Sequence, residues 1–176
     1  VDDSILPQLR DNGADIRAVA NRLVHYAMFA EEVDADIILE ACSSVGEVVA
    51  EMQARVNIPV VRIDDAMAEQ AVTRGERIGV AATLATTLDP TVRLLQQKAK
   101  HANRTVNFTP HLIDSAYQKL MAGDPAGHDK DIATALNDLA EQTDVVVLAQ
   151  ASMARVIPSL PDDQQDRFLT SPLLGM

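Results

Sequence analysis

Apolar positions along this chain take two forms, short uninterrupted runs and longer stretches with helical spacing, and the two alternate from end to end. Helical spacing predicts helices over about 4–10 and 15–33, and the run Asp36-Ile37-Ile38-Leu39-Glu40-Ala41 predicts a strand. A helix over 45–56, a strand over 58–63, a helix over 66–74 stopped by Gly75 and a strand over 77–82 follow. Asp89-Pro90 reads as a helix start, with Asp as cap and Pro at the first helical position, leading to about Asn103. A strand over 105–108, helices over 115–122 and 129–142, and a strand over 144–149 complete the pattern. At the other end, Val1-Asp2-Asp3 reads as the tail of a strand running into a turn.

Continuous apolar strands separated by helices are what a parallel sheet covered on both faces requires, because such strands cannot show polar alternation. The fold class is therefore α/β. Ligands of such sheets bind where strand carboxyl ends meet the following helices. The glycine-rich signatures that would make one of these junctions a nucleotide site are absent from the sequence, which argues against NAD or ATP.

Composition narrows the picture. With 176 residues, 47% of them hydrophobic, the chain can bury a sizeable core as one domain or two small lobes. Only 3% are aromatic and none is Trp, so the core is aliphatic and no platform for stacking bases exists. The formal net charge of −11 offers phosphate backbones or anionic lipid no general attraction, so neither nucleic acid nor membrane is expected as a partner. One Cys cannot form an internal disulfide, and with no signal peptide or bilayer-length apolar run a reducing cytoplasm is the expected compartment. The absence of a CxxC pair and the scatter of the 4 His argue against a structural zinc site.

The chain carries an internal echo. Asp36 to Ser44 aligns with Asp144 to Ser152 at an offset of 144 − 36 = 108, sharing Asp, a β-branched run, Ala and Ser. Each copy reads as a strand turning into a helix, and Cys42 and Gln150 take equivalent places. Two related lobes explain the match; convergence between buried strands, which draw on few residue types, is the alternative. Ser44-Val45-Gly46-Glu47 has the form of a capping box, which would start a helix just after Cys42 and place its thiol at the positive helix end. There a thiol is expected to have a depressed pKa and to act as base or nucleophile, unless Cys42 is simply a small buried hydrophobe. Glu40, on the same side of the strand as Cys42, is either an exposed strand-end carboxylate or an acid in the site.

Thr83, Thr86 and Thr87 follow the strand ending at Ala82. Together with Ser43, Ser44 and Ser152 they form a set of neutral donors suited to holding a carboxylate, although such residues also serve as ordinary caps. Asp64-Asp65 reads as a structural cap. His25 and His101 suit solvated or dipole-facing positions, and His111 and His128 carry no assignment.

In these residues the sequence resembles the aspartate/glutamate/hydantoin racemase superfamily. The resemblance rests on Glu40-Ala41-Cys42-Ser43-Ser44, on Ile58 to Ala68, on Arg77 to Thr83 with Thr86 and Thr87, on Asp144 to Met153, and on Thr170-Ser171-Pro172, in this order over nearly the whole chain. It implies two pseudo-symmetric lobes, each a parallel sheet flanked by helices, with the active site in the cleft between them. Residues 1–72 plus about 160–176 would form one lobe and 73–159 the other, with a strand and helix before Val1 and a helix after Met176. It also implies a homo-oligomer and a cofactor-independent enzyme acting on a small carboxylate. In such racemases one cysteine takes the proton α to the carboxylate and a second delivers a proton to the opposite face. Cys42 matches the first, and Gln150 stands where the second would be.

Gln can donate a hydrogen bond but cannot relay a proton near neutral pH, so two-base racemisation is not expected. The superfamily's single-cysteine decarboxylases keep the second cysteine and lack the first, the reverse of this case. The implied site has Cys42 and Gln150 at the reaction, and Ser43, Ser44, Thr83, Thr86, Thr87, Ala151 and Ser152 on the substrate. Decarboxylation, thiol addition in a cis-trans isomerase, and non-catalytic binding of a small acid stay open beside racemase-type proton transfer.

Overall fold

The computed structural model describes residues 2–175. Val1, and with it the start of the strand tail expected there, lies outside the described residues. Contacts group the chain into two compact units, Val1–Ile63 and Asp64–Met176.

In the first unit, helices α1 (Ile5–Asp11) and α2 (Arg17–Glu32) precede strand β1 (Ile38–Glu40). A 3-10 turn at Gly46–Val48 runs into the short helix α3 (Val49–Gln53), and strand β2 (Val60–Arg62) follows. The strands pair in parallel with Ile38 opposite Val60 and Glu40 opposite Arg62. Ala20 and Ala27 of α2 pack with Val48, Met52 and Val60, while Ile5, Leu9, Val19 and Val45 form a second apolar cluster against which Cys42 lies.

The second unit comprises α4 (Asp65–Arg74), β3 (Arg77–Ala82), α5 (Ala85–His101), β4 (Asn107–Leu112), α6 (Asp114–Met121), α7 (Pro125–Gln142), β5 (Val145–Leu148), β6 (Phe168–Thr170) and α8 (Ser171–Leu174). Two 3-10 segments, Ala151–Ser159 and Asp162–Arg167, link β5 to β6. The four strands pair in parallel in the order β4-β3-β5-β6. Period-2 alternation divides the core. Ile78, Val80, Val147 and Leu169 join α4 and α5 on one face, and Ala81, Val146, Leu148 and Phe168 join α7 and the 3-10 segment on the other. Fully burying each such Val or Leu contributes about 1.5–3 kcal/mol. Pairing with β5 ties β6 (Phe168–Thr170), expected with the first lobe, into this sheet. No helix among the described residues is long and apolar enough to cross a membrane.

Several boundaries differ from those the pattern predicts, each for a local reason. The Asp-Pro start is real at Asp124-Pro125, where the Asp124 carboxylate accepts from the Gly127 amide at 2.8 Å, so α7 begins four residues before Asp129. It is not a start at Asp89-Pro90. There α5 springs directly from the extended Leu84, and Pro90 lies inside the helix. Proline has no N–H, so the Thr86 carbonyl lacks its usual donor four residues on. β4 continues through Pro110 because it is an edge strand, where a missing donor costs no sheet hydrogen bond.

Gly75 does not close α4 through a left-handed turn; its φ is −129°. A side chain there would meet Val145 Cγ2 at 3.1 Å, so close approach to β5 is what requires glycine. Left-handed stops occur instead at Asp34 (φ 59°), Asn103 (φ 52°) and Gly123 (φ 81°).

Asp144 ties the starts of β3 and β5 together. Its carboxylate accepts from the Glu76 and Arg77 amides at 3.0 and 2.9 Å and from the Arg77 guanidinium at 2.6 Å. These bonds hold its pKa at about 2. A carboxylate depressed on folding stabilises above its unfolded value near ~3.9, and that contribution is lost as pH falls through the folded value. Asp144→Ala is expected to cost roughly 1–2 kcal/mol at pH 7, allowing for solvent screening, with the deficit against wild type narrowing below about pH 4. Denaturant titrations at pH 7 and pH 3 measure both; equal deficits at the two pH values would contradict it.

Candidate active site

Cys42 is the second residue after β1 and Gln150 the second after β5, since 42 − 40 and 150 − 148 are both 2. Each strand then opens into 3-10 rather than α-helical geometry. After Gln150, the proline at 158 withholds the N–H that an α-helix would use, and Met153 N closes a three-residue ring on Gln150 O at 3.0 Å.

At the first of these ends the loop is pinned from beneath. Glu40 is buried, and its Oε1 accepts from the Cys42 amide at 2.6 Å, so it is not the exposed strand-end carboxylate that was one of its two readings. Ser43 and Ser44 are buried as well. Arg62, opposite Glu40 in the ladder, lays its guanidinium against Gly46, where an added side chain would come within 2.5 Å of it. Gly46 thus allows a cation onto the first turn after the cysteine, a feature the sequence reading missed because Arg62 sits on another strand.

The expected capping box does not form around Ser44. Val45 is the residue at the N-cap, it makes no side-chain cap bond, and α3 is only 5 residues long. The Val45 amide donates to the Cys42 carbonyl at 2.9 Å instead, and Ser44 and Val45 face the thiol as groups that favour its ionised form. The expected depression of the thiol pKa is overturned too. Burial pushes it above its ordinary value of 9.0 and the charge of Glu40 adds to this, while the Ser44 and Val45 bonds lower it without cancelling the rise. Iodoacetamide alkylation of Cys42 is therefore expected to be slow at neutral pH and to keep rising with pH through 9 without levelling off. A rate already at its plateau at pH 7 would contradict this burial-dominated thiol.

At the second end, the side-chain oxygen of Gln150 accepts from the Thr83 amide at 2.6 Å and from the Thr83 hydroxyl at 3.0 Å. The structure thus brings together two of the residues expected at the site. Thr83 and Thr87 are buried, and Thr86 is partly so. The early start of α5 moves Thr86 and Thr87 from the expected junction loop into the helix's first turn. Ala151 and Ser152 are exposed at the start of the 3-10 segment. The chain runs from β3 to β4 on one side and then crosses from β4 to β5 on the other side of β3, a reversal of strand order of the kind that opens a ligand crevice at strand carboxyl ends.

Three further residues qualify the sequence reading. Asp64 is fully buried at the start of α4 but does not cap it with its side chain, and Asp65 pairs with Lys98 at 2.6 Å. Thr170, level with Leu148 in the ladder, is 2% exposed, and its hydroxyl has no partner among the described residues. His128 is buried beside Asp129 and Arg155, which join α7 to the 3-10 segment. A surface cavity of about 400 Å³ ringed by His111, Asp114, Asp131 and Asp138 contains none of the predicted site residues. Among the described residues, no group of 3 or more His, Cys, Asp or Glu could hold a metal ion.

Known structures share this fold. Glutamate racemase RacE1 from Bacillus anthracis is 15% identical with a TM-score of 0.70, the match covering 92% of this chain and 62% of that one. For allantoin racemase from Klebsiella pneumoniae the values are 18%, 0.63, 92% and 64%. A double mutant of arylmalonate decarboxylase in its liganded form gives 14%, 0.58, 91% and 72%. The chain thus spans less than two thirds of the length of the two racemases. No curated protein sequence matches it. A sequence model of the Asp/Glu/hydantoin racemases matches residues 1–173, and on that match, which runs through both units and both strand ends, the protein belongs to the Asp/Glu/hydantoin racemase family.

Proposed function

We propose that this protein is a cofactor-independent enzyme that moves a proton at the carbon α to a small carboxylate, with Cys42 as the group that carries the proton. The observation that carries this reading is the asymmetry within a family match of nearly full length. An ionisable thiol, Cys42, follows β1 beside Ser44, whereas the corresponding place after β5 holds the non-ionisable Gln150.

In the forward step the Cys42 thiolate takes the α-proton. The C–H electron pair passes into the carboxylate as an enediolate, and the thiol then returns the proton to the same face. Hydroxyl and amide donors at Ser43, Ser44, Thr83, Thr86, Thr87, Ala151 and Ser152 hold the carboxylate and the enediolate, and Gln150 donates to a substrate oxygen. Because removal and return share one sulfur, the substrate exchanges its α-hydrogen with solvent while its configuration is largely kept. We place the protein in a reducing compartment, where its one cysteine stays a thiol.

The raised thiol pKa favours a second reading within the family, in which the resting thiol is the proton donor. Carbon dioxide leaves a malonate-type substrate, and the resulting carbanion takes the Cys42 proton. One experiment separates the two. The full-length protein is incubated in deuterium oxide with amino acids, hydantoins, malonates and maleate, and followed by NMR. Retained α-deuteration supports proton exchange, and loss of carbon dioxide supports decarboxylation. Binding with no turnover that depends on Cys42 would leave only a small-acid binding protein.

A further inference from the structure

We propose that Thr83 fixes the Gln150 side chain as a hydrogen-bond donor, and that this selects substrates offering a second carboxylate or carbonyl oxygen over substrates offering an ammonium group. The inference rests on the carboxylate reading above and names the substrate class within it. A backbone N–H can only donate, so the Gln150 atom 2.6 Å from Thr83 N is the amide oxygen. The Thr83 hydroxyl at 3.0 Å occupies the remaining acceptor capacity of that oxygen. Nε2 is thereby turned away from Thr83 with two N–H donors, and it has no partner among the described residues. Gln150 is only partly buried, so these donors are accessible.

A side chain held in this way presents donors and no acceptor. An oxygen of a substrate satisfies it, whereas an ammonium meets N–H groups head-on. One strand over, the buried Thr170 hydroxyl at the carboxyl end of β6 is a second polar group with no protein partner among the described residues. Two groups on neighbouring strands therefore await polar atoms that the protein does not supply. Thr83 acts here through Gln150 as a positioning residue.

The test uses two probes of similar length that share one carboxylate and differ at the far end: succinate, with a second carboxylate, and β-alanine, with an ammonium. Titration calorimetry on the full-length protein is expected to show succinate bound about tenfold or more tighter than β-alanine. Gln150→Glu replaces donors by a charged acceptor and should abolish or invert that preference. Thr83→Val keeps the volume at this buried position but removes one of the two bonds to the amide, narrowing the preference by about three- to tenfold. Thr83→Ser restores it. In the wild type, the Gln150 side-chain NH₂ signals, identified by their loss in Gln150→Glu, should shift on adding succinate.

A wild-type preference unchanged in Gln150→Glu, equal behaviour of Thr83→Val and Thr83→Ser, or NH₂ signals indifferent to succinate would each overturn the inference while leaving the carboxylate reading intact. Failure of the wild type to bind either probe overturns both. Circular dichroism of each variant confirms that the comparison is between folded proteins.

Discussion

Cys42→Ala is expected to abolish both α-hydrogen exchange and any net inversion, because a methyl group neither accepts nor donates a proton. General acid-base assistance is worth about 10²- to 10⁴-fold, so a loss of at least that order is expected in the deuterium uptake rate. Folding survives. Cys42 is only partly buried and touches one small apolar cluster, so trimming its sulfur removes little packing. Cys42→Ser is a sharper control: it keeps a polar atom beside Ser44, but a hydroxyl is a far weaker acid than a thiol and exchange should stay close to background. The raised thiol pKa adds a pH signature, with exchange increasing from neutrality through pH 9 and beyond as the thiolate forms. Exchange that persists in Cys42→Ala, or that falls as the thiolate forms, would remove Cys42 from the reaction.

Gln150→Cys has the second large effect, in the opposite direction. It supplies the proton donor missing from the place equivalent to Cys42, so inversion should increase relative to exchange by about 10²- to 10⁴-fold. The Thr83 amide and hydroxyl now bind the Gln150 oxygen. The same change removes the acceptor those donors use, and a buried donor left unmet costs roughly 1–3 kcal/mol. Inversion should therefore be measured by chiral chromatography well below the variant's melting temperature. A folded Gln150→Cys protein that still exchanges without inverting would show that position 150 does not reach the α-carbon.

Alternating apolar runs and helical stretches made the α/β class, the parallel strands and the placement of Cys42 and Gln150 after strand ends legible without coordinates. These features follow from spacing along the chain, and a strand of Val145 to Leu148 buried on both faces can be little else. The racemase resemblance, carried by short motifs at those ends, was legible for the same reason. Local signals failed where two readings of the same residues were possible. Asp89-Pro90 and Asp124-Pro125 have the same form, yet only the second begins a helix, because Leu84 leaves β3 already positioned to start α5. Ser44 to Glu47 fits a capping box, but Ser44 is engaged by the cysteine.

The tertiary structure alone decided the chemistry of the site groups. Glu40 read as an exposed strand-end carboxylate or as an acid in the site, and only folding buries it with its carboxylate on the Cys42 amide. The thiol pKa depended on whether desolvation or helix-end donors prevailed, and desolvation is set by every neighbour that excludes water, not by the four residues that follow. The Gln150 amide takes its orientation from Thr83, 67 positions earlier. Periodicity is written in near neighbours, so the sequence by itself determined which elements form and where their ends fall. Burial and hydrogen-bond partnership are written in residues brought close only by folding, and so the acidity of Cys42 and the donor face of Gln150 were decided there.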